Sequence, residues 1–144
     1  MKFRLIIDKS ADEEVVVYAH EKSRLTEEIE KLVIESNVEL MGYKEYEAIK
    51  LNPADVTCFV CENNKVFAMT DEKLQVRLRL YQIEEMLDEN FIKINQSCVA
   101  NIRQIEKVQA SLSGAIFVVF RNGYSDYISR RNLRSVKERL GVKL

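Results

Sequence analysis

The chain has 144 residues, 47% hydrophobic and 31% charged, with one proline, four glycines and a formal net charge of −1. That is enough chain for one domain with a real hydrophobic core and too apolar for general disorder, and no apolar run approaches the ~20 residues of a membrane helix. The opening MKFRLIIDKSADEE turns acidic after seven residues, so it does not read as a signal peptide, and a soluble cytoplasmic protein is the expectation.

Taken in chain order, KFRLIID and EVVVYA predict two strands around the acidic turn KSADEE. RLTEEIEKLVIES then places Leu25, Ile29, Leu32 and Val33 at helical spacing, which predicts a helix packing those residues into a core. VELMGY and YEAIKL are the next strand candidates, parted near Gly42 and Lys44. NPADV predicts one helical turn capped by Asn52. TCFVC and KVFAMT flank the polar hairpin loop ENN, LQVRLRL alternates as a further strand, and YQIEEMLDE predicts a short amphipathic helix. QIEKVQA and AIFVVF form a pair around SLSG. Asn122-Gly123 predicts a type I′ turn before the return strand SDYI. Ser129 is placed as the cap of a last helix whose stripe is Leu133, Val136 and Leu140, ending at Gly141. The fold class is therefore mostly β (α+β), with short helices and a small β/α extension at the N-terminus.

Catalytic patterns are missing. One histidine, His20, has no metal-ligand spacing around it, and the scattered glycines assemble no phosphate loop. Cys58 and Cys61 have CxxC spacing, but an offset of three on a strand puts them on opposite faces, so all three cysteines read as small buried apolar groups. No enzyme activity, cofactor, metal or small-molecule substrate is expected.

Binding chemistry is better represented. Residues 1–90 carry 12 Lys and Arg against 20 Asp and Glu, a balance of −8; residues 91–144 carry 10 against 3, a balance of +7. Such a basic half points to a polyanion. Within it, FIKINQSCVANIRQI and NGYSDYISRRNLRSVKERL concentrate Arg, Lys, Asn, Gln and Ser, the side chains that hold phosphates and read base edges. Arg130 and Arg131 stand in the first turn of the last helix, where cations oppose the helix dipole and favour an outside anion.

From about residue 45 to 141 the chain resembles the LytTR domain, the DNA-binding module of LytR/AlgR-type bacterial transcription regulators. The resemblance rests on the order of ADVTCFVCENNKVFAMT, LRLYQIEEMLDENFIKINQSCVANIRQI and VVFRNGYSDYISRRNL. It implies an elongated β-fold that reads duplex DNA in the major groove with loops between strands and the start of the last helix. It carries base contacts to Asn64 or Lys65, Gln96 and Arg131, and phosphate or backbone positioning to Lys93, Asn95, Ser97 and Arg130. Asn101 matches a recurrent asparagine that organises a turn or meets DNA. Two departures stand out: Asn95 replaces the usual histidine and Cys98 the usual aromatic.

The expected organisation is a 1–43 β/α extension that either pairs across a dimer axis or extends the β-fold, dimerisation being preferred, and a 44–144 DNA-binding domain. About 43 residues cannot hold the phosphorylated receiver domain of the better-known members, so the expectation is a stand-alone type without one. The alternative is a protein–protein interaction module or anti-regulator that keeps the fold.

Overall fold

Alternating apolar residues make a strand only where a neighbouring strand takes up the backbone N–H and C=O groups. The computed structural model, which describes residues 1–36 and 39–143, shows both outcomes in two compact units, Met1–Asn37 and Val38–Leu144. In the first unit the strands expected over 2–8 and 14–19 are absent: neither segment joins a ladder among the described residues. Their apolar side chains, Phe3, Leu5, Ile7 and Tyr18 among them, are exposed.

The helix α1 (Arg24–Ser36) does form. Ser23 and Thr26 start it reciprocally: the Thr26 N–H donates to Ser23 Oγ (3.3 Å) and the Ser23 N–H to Thr26 Oγ1 (2.9 Å). Leu25 and Leu32, expected in a core, are exposed instead.

The second unit begins with β1 (Leu40–Lys44) and β2 (Glu47–Leu51), which pair antiparallel. Gly42 lies inside β1 and does not separate the strands; the turn is made by Glu45, at φ 51°. A side chain at 42 would put its Cβ 2.9 Å from the Leu74 Cβ, so glycine lets two strands approach closely. One helical turn, Pro53–Asp55, follows, with Asn52 Oδ1 accepting from the Ala54 N–H at 3.1 Å as expected.

Then come β3 (Cys58–Glu62), β4 (Lys65–Met69) and β5 (Lys73–Val76). β5 stops at Val76, short of the expected strand, because Leu80 already starts α2 (Leu80–Met86). Next are β6 (Phe91–Asn95) and β7 (Cys98–Asn101). The antiparallel trio β8 (Ile105–Ala110), β9 (Ile116–Phe120) and β10 (Ser125–Ile128) leads into α3 (Arg130–Leu140), which Gly141 ends. The turn at Asn122-Gly123 is not type I′: only Gly123 has positive φ (89°), and the Gly123 N–H donates to the Phe120 carbonyl at 2.9 Å. One left-handed glycine after an ordinary turn joins β9 to β10 as well as two would.

Seven strands form one sheet in the order β2-β1-β5-β4-β3-β7-β6, and β10-β9-β8 form a second. The alternation along β3 explains the layering. Cys58 and Val60 face a core shared with Ile94, Cys98, Val118, Phe120 and Val136, whereas Phe59 faces a second core with Leu40, Val66, Val76 and Ile83. The large sheet is thus a middle layer, with the small sheet and α3 on one face and α2 on the other. Full burial of Phe59 and Phe120 contributes on the order of 2–3 kcal/mol each by area bookkeeping. Cys58 and Cys61 do lie in opposite layers, and all three thiols are free.

Candidate nucleic-acid interface

Two hairpin turns lie side by side at one end of the large sheet. Between β3 and β4, Asn63 and Asn64 both adopt positive φ (51° and 62°), the type I′ geometry that asparagine tolerates. This turn leaves Asn64 and Lys65 exposed. Between β6 and β7 the loop shrinks to Gln96 and Ser97, both exposed. The Cys61 N–H donates to the Ser97 carbonyl at 2.8 Å, and that bond joins the two turns.

Asn95 does not project with its neighbours. The pairing of β6 with β7 shifts register between Lys93 and Asn95, and that irregularity turns the Asn95 side chain inward. Its Oδ1 accepts the Ser97 N–H at 2.8 Å, and its Nδ2 donates to the Tyr127 carbonyl at 2.8 Å and to Asp126 Oδ1 at 3.2 Å. At 1% exposure the amide has no surface to offer DNA, which corrects the expectation of a projecting side chain. Buried and fully bonded, it shapes the turn that presents Gln96.

Asn101 is buried as well. It is 2% exposed, donates to the Val56 carbonyl (2.9 Å) and accepts the Arg103 N–H (3.1 Å). Of its two expected roles, organising a turn is the one its surroundings permit.

The start of α3 is stitched to the same hairpin, because the Ser129 N–H donates to the Ile94 carbonyl at 2.9 Å. Arg130 and Arg131 follow directly and are exposed. Ser129 is the residue before the helix, as expected, but its hydroxyl does not bond the helix backbone. Instead it accepts from Asn132 Nδ2 at 2.7 Å.

On the α2 face an open groove of about 980 Å³ is lined by Asn64, Lys65, Lys93 and Gln96, and also by Arg77, Arg79 and Tyr81. The first four are expected site residues that the fold collects in one place. The last three were missed: in LQVRLRLY the arginines occupy alternate positions and read as the solvated side of a strand. Two cations closing a strand, directly before a helix in an acidic half, were the available signal. Arg130 and Arg131 are not among the residues lining this groove.

The core behind the turns stays neutral. The Cys98 thiol is held far above its ordinary range by its hydrogen bond with Cys58 and then by burial, and burial also raises the Tyr124 phenol. Among the described residues no group of His, Cys, Asp or Glu could hold a metal ion, and no helix is long and apolar enough to cross a membrane.

The family described as the LytTr DNA-binding domain matches this chain over residues 46–141. The chain belongs to that family. The LytTr domain therefore spans β2 to α3, including both turns and the groove. A solved LytTr DNA-binding domain of a putative methyl-accepting/DNA response regulator from Bacillus cereus shares the fold. Its TM-score is 0.67 at 16% identity, covering 74% of this chain and 100% of that one. Uncharacterized HTH-type transcriptional regulators of Staphylococcus aureus strains NCTC 8325 and MRSA252 are 32% identical over 146 residues, with 99% of each chain covered. In this chain strands separate every pair of α-helices among the described residues, so no two of these helices follow one another directly.

Proposed function

We propose that this protein is a bacterial cytoplasmic transcription regulator that binds duplex DNA sequence-specifically through its LytTr domain. In this reading the turns at 63–65 and 96–97 and the start of α3 enter the major groove. The observation that carries it is the stitching of three exposed polar segments at one sheet end, by Cys61 N–H to Ser97 and by Ser129 N–H to Ile94. Segments tied to a sheet through backbone bonds need little ordering on binding, which favours affinity and register. The names of the S. aureus relatives agree with a regulator.

Gln96 and Arg131, with Asn64 or Lys65, are the proposed base contacts. Lys93, Ser97 and Arg130 hold phosphate. Two copies binding together explain best the exposed apolar residues of the first unit, so we read the protein as a homodimer.

A duplex selected from a random pool and titrated against salt tests the reading. Log K falls with the logarithm of salt concentration at a slope of about 0.9 per neutralised phosphate. Arg131→Ala is expected to lose about 1–3 kcal/mol of discrimination between the selected and a scrambled duplex, whereas Lys93→Ala weakens both alike. No binding to any duplex at low salt would favour a protein–protein module instead.

A further inference from the structure

The cations of residues 39–90 fall into two groups. Lys44, Lys50 and Lys73 are engaged by carboxylates: Lys44 with Glu72 (3.4 Å), Lys50 with Glu39 (3.3 Å) and Lys73 with Glu62. Lys65, Arg77 and Arg79 have no carboxylate within 4.0 Å among the described residues, and these three line the groove on the α2 face. Lys93 lines it too, equally unpaired. A stretch rich in acids has therefore paired its cations elsewhere and left three without a carboxylate in one concavity, where Lys93 joins them and Glu84 is the lone carboxylate of the lining. Like charges clustered in this way repel one another, and the cluster suits an outside polyanion.

The arginines are also held in place. The Arg77 guanidinium lies over the Tyr43 ring at 3.9 Å from its centroid. Stacking uses the face of the guanidinium and leaves its N–H edge free for a phosphate oxygen. The Arg79 backbone N–H donates to Gln82 Oε1 at 2.9 Å, which anchors the corner between β5 and α2.

We propose that Arg77 and Arg79, with Lys65 and Lys93, form a phosphate-binding groove that follows the DNA backbone beside the bases met by Gln96. Tyr43 is its positioning residue. The proposal rests on the duplex-DNA reading above and extends the interface beyond the two turns and α3, onto the acidic half of the chain. Gln96 lines the same groove, which places the proposed base contact beside the proposed phosphate contacts.

The full-length protein is compared with Arg77→Ala, Arg79→Ala and the double variant, using the selected duplex and a scrambled one over a salt series. Each substitution lowers the salt slope by about 0.9, and the double variant loses on the order of tenfold in affinity for both duplexes alike. Tyr43→Leu reproduces part of the Arg77→Ala loss, and Tyr43→Phe, which keeps the ring, restores it. All four side chains are partly or fully exposed, and unchanged melting temperatures confirm that folding is intact. An unchanged slope in the double variant, while Gln96→Ala still loses discrimination, overturns the groove and leaves the duplex-DNA reading standing. Failure of the unsubstituted protein to bind any duplex overturns both.

Discussion

Asn95 shows how one side chain can serve a surface without reaching it. Its amide makes three hydrogen bonds in a site with 1% exposure, and they tie the turn after β6 to β10: to the Ser97 backbone, the Tyr127 carbonyl and Asp126. Removing a buried, bonded amide leaves its partners unsatisfied at about 1–3 kcal/mol. Asn95→Ala is therefore expected to lower stability by that amount in denaturant unfolding and to weaken duplex binding through the turn that its amide holds. Unchanged stability would show that water replaces the amide freely. Asn95, where the resemblance implies a histidine, thus bears first on how the turn is held.

At the level of elements, the interface depends on how closely strands approach. β1 closes the gap between β2 and β5, and it carries Tyr43 opposite Gln75, next to the corner where Arg77 begins. Gly42 makes the approach possible, because a Cβ there meets the Leu74 Cβ at 2.9 Å and its Cδ1 at 3.0 Å. The Leu74 Cβ is tied to its backbone and cannot swing away. Gly42→Ala should thus cost about 1–3 kcal/mol through overpacking, measured as a lowered unfolding midpoint. It should also weaken duplex binding more than Gly123→Ala, whose strain, from a side chain at φ 89°, falls on the turn between β9 and β10 of the other sheet. The reverse ranking would detach β1 from the groove.

At the scale of the whole molecule, the two units differ in what they bury. Both cores of the second unit are built from its own residues, 40 to 140, whereas the first leaves Phe3 at 90% and Tyr18 at 93% exposure. Residues 1–7 carry Lys2 and Arg4 without an acid, and residues 12–21 carry Asp12, Glu13, Glu14 and Glu21 without a Lys or Arg. Complementary extended segments of this kind suit strand exchange between two copies. Leu5→Asp with Ile7→Asp is expected to convert a dimer into a monomer by light scattering and to lower apparent affinity for a two-site duplex while sparing a half-site. A monomeric parent protein would remove the dimer from the proposal.

Much of this molecule is legible from local chemistry. The cap at Asn52, the hairpin signals at 63–64 and 122–123, the stop at Gly141 and the opposed faces of Cys58 and Cys61 depend on neighbours a few residues away, and the chain spells them out. The basic second half is likewise a sum over residues. The division between units was less legible: it falls between Asn37 and Val38, before the expected 43/44, because β1 pairs with β2 and β5 and so belongs to the sheet. The N-terminal strands failed for the related reason that alternation states a preference and pairing needs a partner.

By itself, then, the sequence determined where the turns and helices lie and which half is basic, since those follow from composition and from short-range backbone preferences. Tertiary structure alone decided which polar side chains face outward. A register shift between Lys93 and Asn95 buries one asparagine and leaves Gln96 exposed, and pairing between distant strands gathers Lys65, Arg77, Arg79 and Lys93 around one groove. Facing is a property of strand register, and register is set by partners far away in the chain.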